Sequence, residues 1–180
     1  MKTKKAFFTV ALFLCATLYA QTTDYTKEPG FFNYEKELTV KLGNAITEVY
    51  LEEPMLKMIS KMTKDDKEGI STVLDALKLV RVNEYQTEKK DSLQIEADFE
   101  SMNKKLQSQK WSSIIKTKNR GRYANIYVKE GSNGEYLGLL LIALDRNAKA
   151  TFVNIVGKIN LETFGKISGQ LGIPNTDRKK

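Results

Sequence analysis

Along the chain, apolar residues recur at two periods, and the switches between them outline the elements. "AITEVYL" (45–51) alternates loosely and carries β-branched residues, which predicts a strand. Pro54 suits the first turn of a helix, with Met55, Leu56, Ile59 and Met62 as its apolar stripe. Asp65 restarts helix, with Glu68 three residues on as a capping box, and Ile70, Val73, Leu74 and Leu77 follow at helical spacing. "LVRVNEY" (79–85) returns to strand. Asp91 or Ser92 caps the longest helix, whose Ile95, Phe99, Met102 and Leu106 form the cleanest stripe in the sequence.

Four strands follow: "WSSIIKT" (111–117), "RYANIYVK" (122–129), "EYLGLLLIALD" (135–145) and "ATFVNIV" (150–156). The turns between them are too short for crossovers, so they form antiparallel hairpins. Leu139–Leu144 is apolar at every position, which predicts a central strand covered on both faces. Gly157 then ends the last strand. Asn160 caps a final helix carrying Leu161, Phe164, Ile167 and Leu171, and Gly172 and Pro174 stop it. Its glycines match neither a P-loop nor G-x-G-x-x-G, so they are read as seats for close packing. The expected fold is one α+β domain over residues 31–175, with helices mainly on one face of a largely antiparallel sheet. The element order is β-α-α-β-α-β-β-β-β-α.

"FVNIVGKINLETFGKISGQLGIP", together with "P-MLKMISKM" (54–62) and "LKLVRVNEY" (77–85), resembles the domain of unknown function 4252 family over about residues 31–175. The resemblance implies exported bacterial proteins of α+β type, some of them lipoproteins. It implies no catalytic or binding residues.

The ends of the chain agree with export. Lys2, Lys4 and Lys5 precede an uncharged apolar stretch from Ala6 to Tyr19, and Ala20 offers a small residue before Gln21, the anatomy of a cleaved secretory signal. That stretch is shorter than the ~20 residues of a membrane-spanning helix. Cys15, the only cysteine, is preceded by Leu14 rather than a small residue, so plain secretion is favoured over lipid anchoring there. Residues 21–30, "QTTDYTKEPG", read as a polar leader, and residues 176–180 as a basic tail. Losing the three signal lysines takes the basic count from 29 to 26 against 22 acidic residues. Arg178, Lys179 and Lys180 supply most of the remaining excess, so nothing points to nucleic acid.

The sequence holds no histidine, and without the signal no cysteine, which excludes His- or Cys-based catalysis, zinc, haem and iron–sulfur sites. No cofactor is expected. Two Ser-x-x-Lys matches remain. Ser113 and Lys116 are expected on opposite faces of a strand, and Ser101 and Lys104 on the solvent side of the long helix, where an exposed lysine is a poor base. Asp65, Asp66 and Glu68 lack calcium-loop spacing and read as helix N-terminal charge.

The one surface that stands out is "KTKNRGRYANIY" (116–127). Lys116, Lys118, Arg120 and Arg122 gather at a hairpin turn, and Tyr123 and Tyr127 share a strand face, a combination suited to an anionic group. The same charges would equally discourage edge pairing. The expectation is therefore an exported, non-catalytic binding module for an envelope protein or an anionic envelope component. An enzyme using carboxylates or Ser-Lys would instead need such groups converging in a cleft. A carrier of small apolar ligands would need a buried pocket of at least ~300 Å³.

Overall fold

The computed structural model describes residues 23–63, 70–88, 91–132, 134–145 and 148–159. Its frame is an antiparallel sheet of β1 (Thr47–Glu52), β2 (Leu77–Gln86), β3 (Trp111–Asn119), β4 (Arg122–Glu130), β5 (Tyr136–Asp145) and β6 (Lys149–Ile159). The spatial order is β1-β2-β6-β5-β4-β3. The short turns from β3 to β6 give hairpins, as chain length requires, and β2 closes on β6. The apolar run Leu139–Leu144 lies in β5, between β4 and β6, where neither face is left to alternate with solvent.

Among the described residues, four α-helices join the sheet: α1 (Glu35–Leu42), α2 (Glu53–Met62), α3 (Ile70–Asp75) and α4 (Ser92–Ser108). Asp91 caps α4 by accepting from Leu93 N at 2.8 Å. The α4 stripe Ile95, Phe99, Met102 and Leu106 is buried as its spacing predicts, and it packs with Leu38 of α1 on one sheet face beside Tyr127, Ile142 and Phe152. On the other face, Leu56 of α2 joins Ile126, Val153 and Ile155. The helices expected mainly on one face thus divide between the two, because α2 and α3 also cap apolar strand residues.

Three further expectations need correction. Helix α1 has no periodic apolar stripe to announce it, since Leu38, Val40 and Leu42 alternate like a strand. It is fixed from outside, by Lys41 bonded to Asp98 at 3.0 Å and Lys105 to Glu37 at 2.8 Å. Strand β6 continues through Gly157 to Ile159. Gly157 has φ +146, and a Cβ there would lie 2.5 Å from Ala76 O, so only glycine lets the strand pass so close to the turn before β2. The polar leader, where described, is packed: Tyr25 is buried and its hydroxyl accepts from Glu53 N. The signal segment with Cys15, Ala20 and Gln21, the carboxylates Asp65, Asp66 and Glu68, the final helix and the basic tail lie outside the described residues.

A strap from Gly30 to Tyr34 crosses the sheet beneath α1. Both backbone groups of Phe32 are taken by sheet side chains: its N–H donates to Asn154 Oδ1 at 3.0 Å, and its carbonyl accepts from Arg81 Nη2 at 2.7 Å. Asn154 Nδ2 donates to Gly30 O and Leu139 O. Tyr34 OH donates to Asn83 Oδ1 at 2.9 Å. Arg81 is only 2% exposed, and its guanidinium lies 4.0 Å from the Tyr34 ring centroid and 4.6 Å from that of Phe31. Burial pushes the Tyr34 hydroxyl well above its usual range. It pushes Tyr85, on β2 with Arg81, up to about 12.

The Glu37 latch between α1 and α4 gives a pH prediction. Lys105 and then Lys41 hold the Glu37 carboxyl below its ordinary value of 4.5. A depressed carboxyl contributes stability above its unfolded pKa and loses it as pH falls through the folded one. Glu37→Gln is therefore expected to be less stable than wild type at neutral pH, with the gap closing below about pH 4.5. Denaturant titrations at a series of pH values check this; a gap constant with pH contradicts it.

Candidate interaction surface

The basic hairpin turns through Arg120 (φ 45) and Gly121 (φ 83), a two-residue turn with both φ values positive, as a tight hairpin prefers. Cross-strand register puts Lys118 beside Tyr123 and Lys116 beside Asn125, so Tyr123 and Tyr127 do share their face. That face is the core. Tyr123 packs on Phe99 of α4 with ring centroids 5.6 Å apart and donates to Glu96. Tyr127 is buried, donating to Asn103 and accepting from Asn125 Nδ2. Lys118 pairs with Glu96 at 2.9 Å, which raises its pKa, and Arg122 pairs with Asp145 at 2.8 Å. Among the described residues, Lys116 and Arg120 alone of the six have no ion pair and no burial. An open cleft of about 530 Å³ borders Arg120, Arg122 and Asp145. The anionic-partner surface thus shrinks to two free cations without aromatic walls.

The Ser-x-x-Lys pairs do not form a site. Ser101 and Lys104 are exposed on α4 as expected. Ser113 and Lys116 were expected on opposite faces, but a bulge between Ser113 and Ile115 restores them to one face, opposite Tyr127 and Asn125. Ser113 Oγ is buried and bonds no described group, while Lys116 points to solvent. Among the described residues, no three acidic side chains gather as a metal site. The gap between α1, α4 and the sheet, where a carrier would hold its cargo, has a volume of about 30 Å³. That is room for a water molecule, far short of a ligand.

A second surface, not legible as such in the sequence, lies at the opposite end of the sheet. Strands β1 and β3 are the two edges. The β3 edge is defended: it carries a bulge, with Lys116 and Lys118 exposed along it. The β1 edge has none of these devices. Its register with β2 runs unbroken from Thr47↔Glu84 to Glu52↔Leu79, and the strand holds no lysine, proline or glycine. Val49 is 38% exposed and Tyr50 45%, with Ile46 also exposed just before them.

Helix α2 starts at the residue after β1 and extends this apolar corner. Leu56 and Ser60 face inward, but Met55, Met58 and Met62 face solvent, Met62 being 79% exposed. Their spacing of three and four residues confines them to about 60° of the helix circumference. The stripe predicted to bury Met55 and Met62 is therefore split, because Leu56 alone fills the space above the sheet. Methionine on a surface supplies apolar, adaptable contact area. Tyr50 is held in place from behind: its hydroxyl donates to Glu35 at 2.9 Å, and Arg81 Nη1 lies 3.4 Å from it. Among the described residues, the corner thus offers strand backbone unpaired on one side, oriented aromatic area and a flexible apolar flank, which suits strand addition or docking of an apolar protein surface.

Among the described residues, no helix is long and apolar enough to cross a membrane. A family model described as a domain of unknown function, DUF4252, matches residues 42–167, a span running from the end of α1 past β6. Neither a curated protein nor a solved structure matches the chain.

Proposed function

Because the chain belongs to the domain of unknown function 4252 family, whose description names no activity, we propose its role from its surface: an exported, non-catalytic interaction module that docks an envelope protein at the β1–α2 corner. The observation that carries this is the run of exposed apolar side chains from Ile46 to Met62 beside an undefended sheet edge. A protein partner is favoured over an anionic component because the hairpin's tyrosines are buried and two of its four cations are already neutralised. Export rests on the basic start, apolar stretch and Ala20–Gln21 boundary of the N-terminal sequence. The non-catalytic reading rests on a sequence with no histidine, with its one cysteine in the signal, and with no Ser-x-x-Lys match in the setting of a catalytic site.

A photo-crosslinking residue in place of Met58, expressed in cells, tests both parts. The expected result is an adduct formed in the envelope fraction by a chain beginning at Gln21, with no adduct from the same group at Lys104. Equal labelling from both positions removes the docking surface. A cytoplasmic chain retaining residues 1–20, or a lipid attached at Cys15, removes plain export.

A further inference from the structure

Resting on that reading, we propose that β1 pairs with β1 of a second copy across a two-fold axis, Val49 opposite Val49, joining two sheets into one. The two edges differ in a way that selects this contact. Sheets protect free edges with charges and bulges; β3 carries lysines and a bulge, whereas β1 has no bulge and only Glu48 and Glu52, whose charges forbid some registers and admit others.

Of the two registers that overlap the six residues of β1 most fully, those centred on Val49 and on Tyr50, only the first is self-complementary. A two-fold axis normal to the sheet opposes residues that share a face. Centring the pair on Glu48 sets Glu48 against itself, and centring it on Tyr50 sets Glu48 against Glu52. Both oppose like charges. Centring on Val49 opposes Thr47 to Leu51, Glu48 to Tyr50 and Ile46 to Glu52, with no carboxylate facing another. It also covers Val49 and Ile46, which the single chain leaves exposed.

Assembly through this edge closes at two copies. Each copy uses its unprotected edge, and the edges that remain are both β3, with their bulges and lysines. A foreign strand would satisfy the same backbone groups, but nothing in β1 prefers one, whereas the charge pattern admits itself. Tyr50 is anchored by Glu35 before pairing begins, so little of its freedom is left to lose.

Sedimentation of the exported chain, which begins at Gln21 and so carries no cysteine of its own, reads the outcome. Wild type is expected to be a dimer, and Val49→Lys to weaken it by about tenfold or more by opposing two ammonium groups. Under mild oxidation, Val49→Cys should yield a covalent dimer and Leu51→Cys should not, since Leu51 faces Thr47. This readout stands even if the lysine variant folds poorly. A wild-type monomer at every concentration, or cross-linking of Leu51→Cys as fast as Val49→Cys, overturns the pairing. A monomer that still cross-links another envelope protein through position 58 overturns only self-pairing and leaves the docking surface in place.

Discussion

Arg81→Ala is expected to destabilise the domain by about 3–5 kcal/mol, as a charged hydrogen bond worth about 1.5–3 kcal/mol is lost and a large-to-small cavity of about 2 kcal/mol or more is left. Three losses combine. The Phe32 carbonyl loses its donor at 2.7 Å, the stacked rings of Phe31 and Tyr34 lose the group between them and Tyr50, and a side-chain-sized hole opens in the sheet face. Glu35 adds little, because at 3.6 Å from Nη1 and 45% exposed it can turn back to water. Arg81→Met should therefore be much milder, about 1–2 kcal/mol, since it fills the volume and removes the buried charge with its donors. Arg81→Lys keeps the charge without the fork and should fall near alanine. Denaturant unfolding orders the three. Equal losses for alanine and methionine would mean that the lost hydrogen bonds, and not the hole, set the cost.

The second large effect lies where the strap crosses β5. Gly30 and Gly138 touch through their backbones. A Cβ on Gly30 would sit 1.8 Å from Leu137 O, and one on Gly138 2.5 Å from Gly30 Cα. Neither obstacle is a side chain that can rotate away, so each alanine must lift the strap from the sheet. Each substitution is expected to cost about 3 kcal/mol, the upper end for overpacking. The double variant should cost less than the two summed, because the first alanine has already lifted what the second would meet. Detachment also frees Lys36, so trypsin should cut the variants after that residue under conditions that leave wild type intact. Additive losses without new cleavage would show that the strap stays seated.

These two predictions concern residues whose importance the sequence concealed. In β2 the usual alternation is inverted: Arg81 and Asn83 lie on the fully buried face, and Val80 and Val82 on the less covered one. Hydropathy reads that strand the other way round. The buried face is polar because it must bond the backbone of the strap, a partner more than forty residues away in the chain. Gly30, where the strap begins, read as the end of a polar leader over residues 21–30, since the strap's hydrogen bonds come from elsewhere in the chain. Helix α1 escaped for a related reason, being held by Lys41 and Lys105 rather than by its own stripe.

The hairpins from β3 to β6 and the whole of α4 were legible, because short turns and a regular stripe are local signals. For the candidate site, locality failed. Periodicity placed Tyr123 and Tyr127 on one face but could not say that α4 covers it. Nor could it say that β1 ends the sheet, which depends on β2 pairing with β6 across the length of the domain. Edge status is a property of strand order, and no single stretch of sequence carries it.

Hydrogen exchange across the two edges, followed as the purified chain is concentrated, tests the central claim most directly. Amides of residues 47–52 are expected to become protected with rising concentration while those of 111–119 keep their exchange rates. Concentration-dependent protection at 111–119, with 47–52 unchanged, would contradict it.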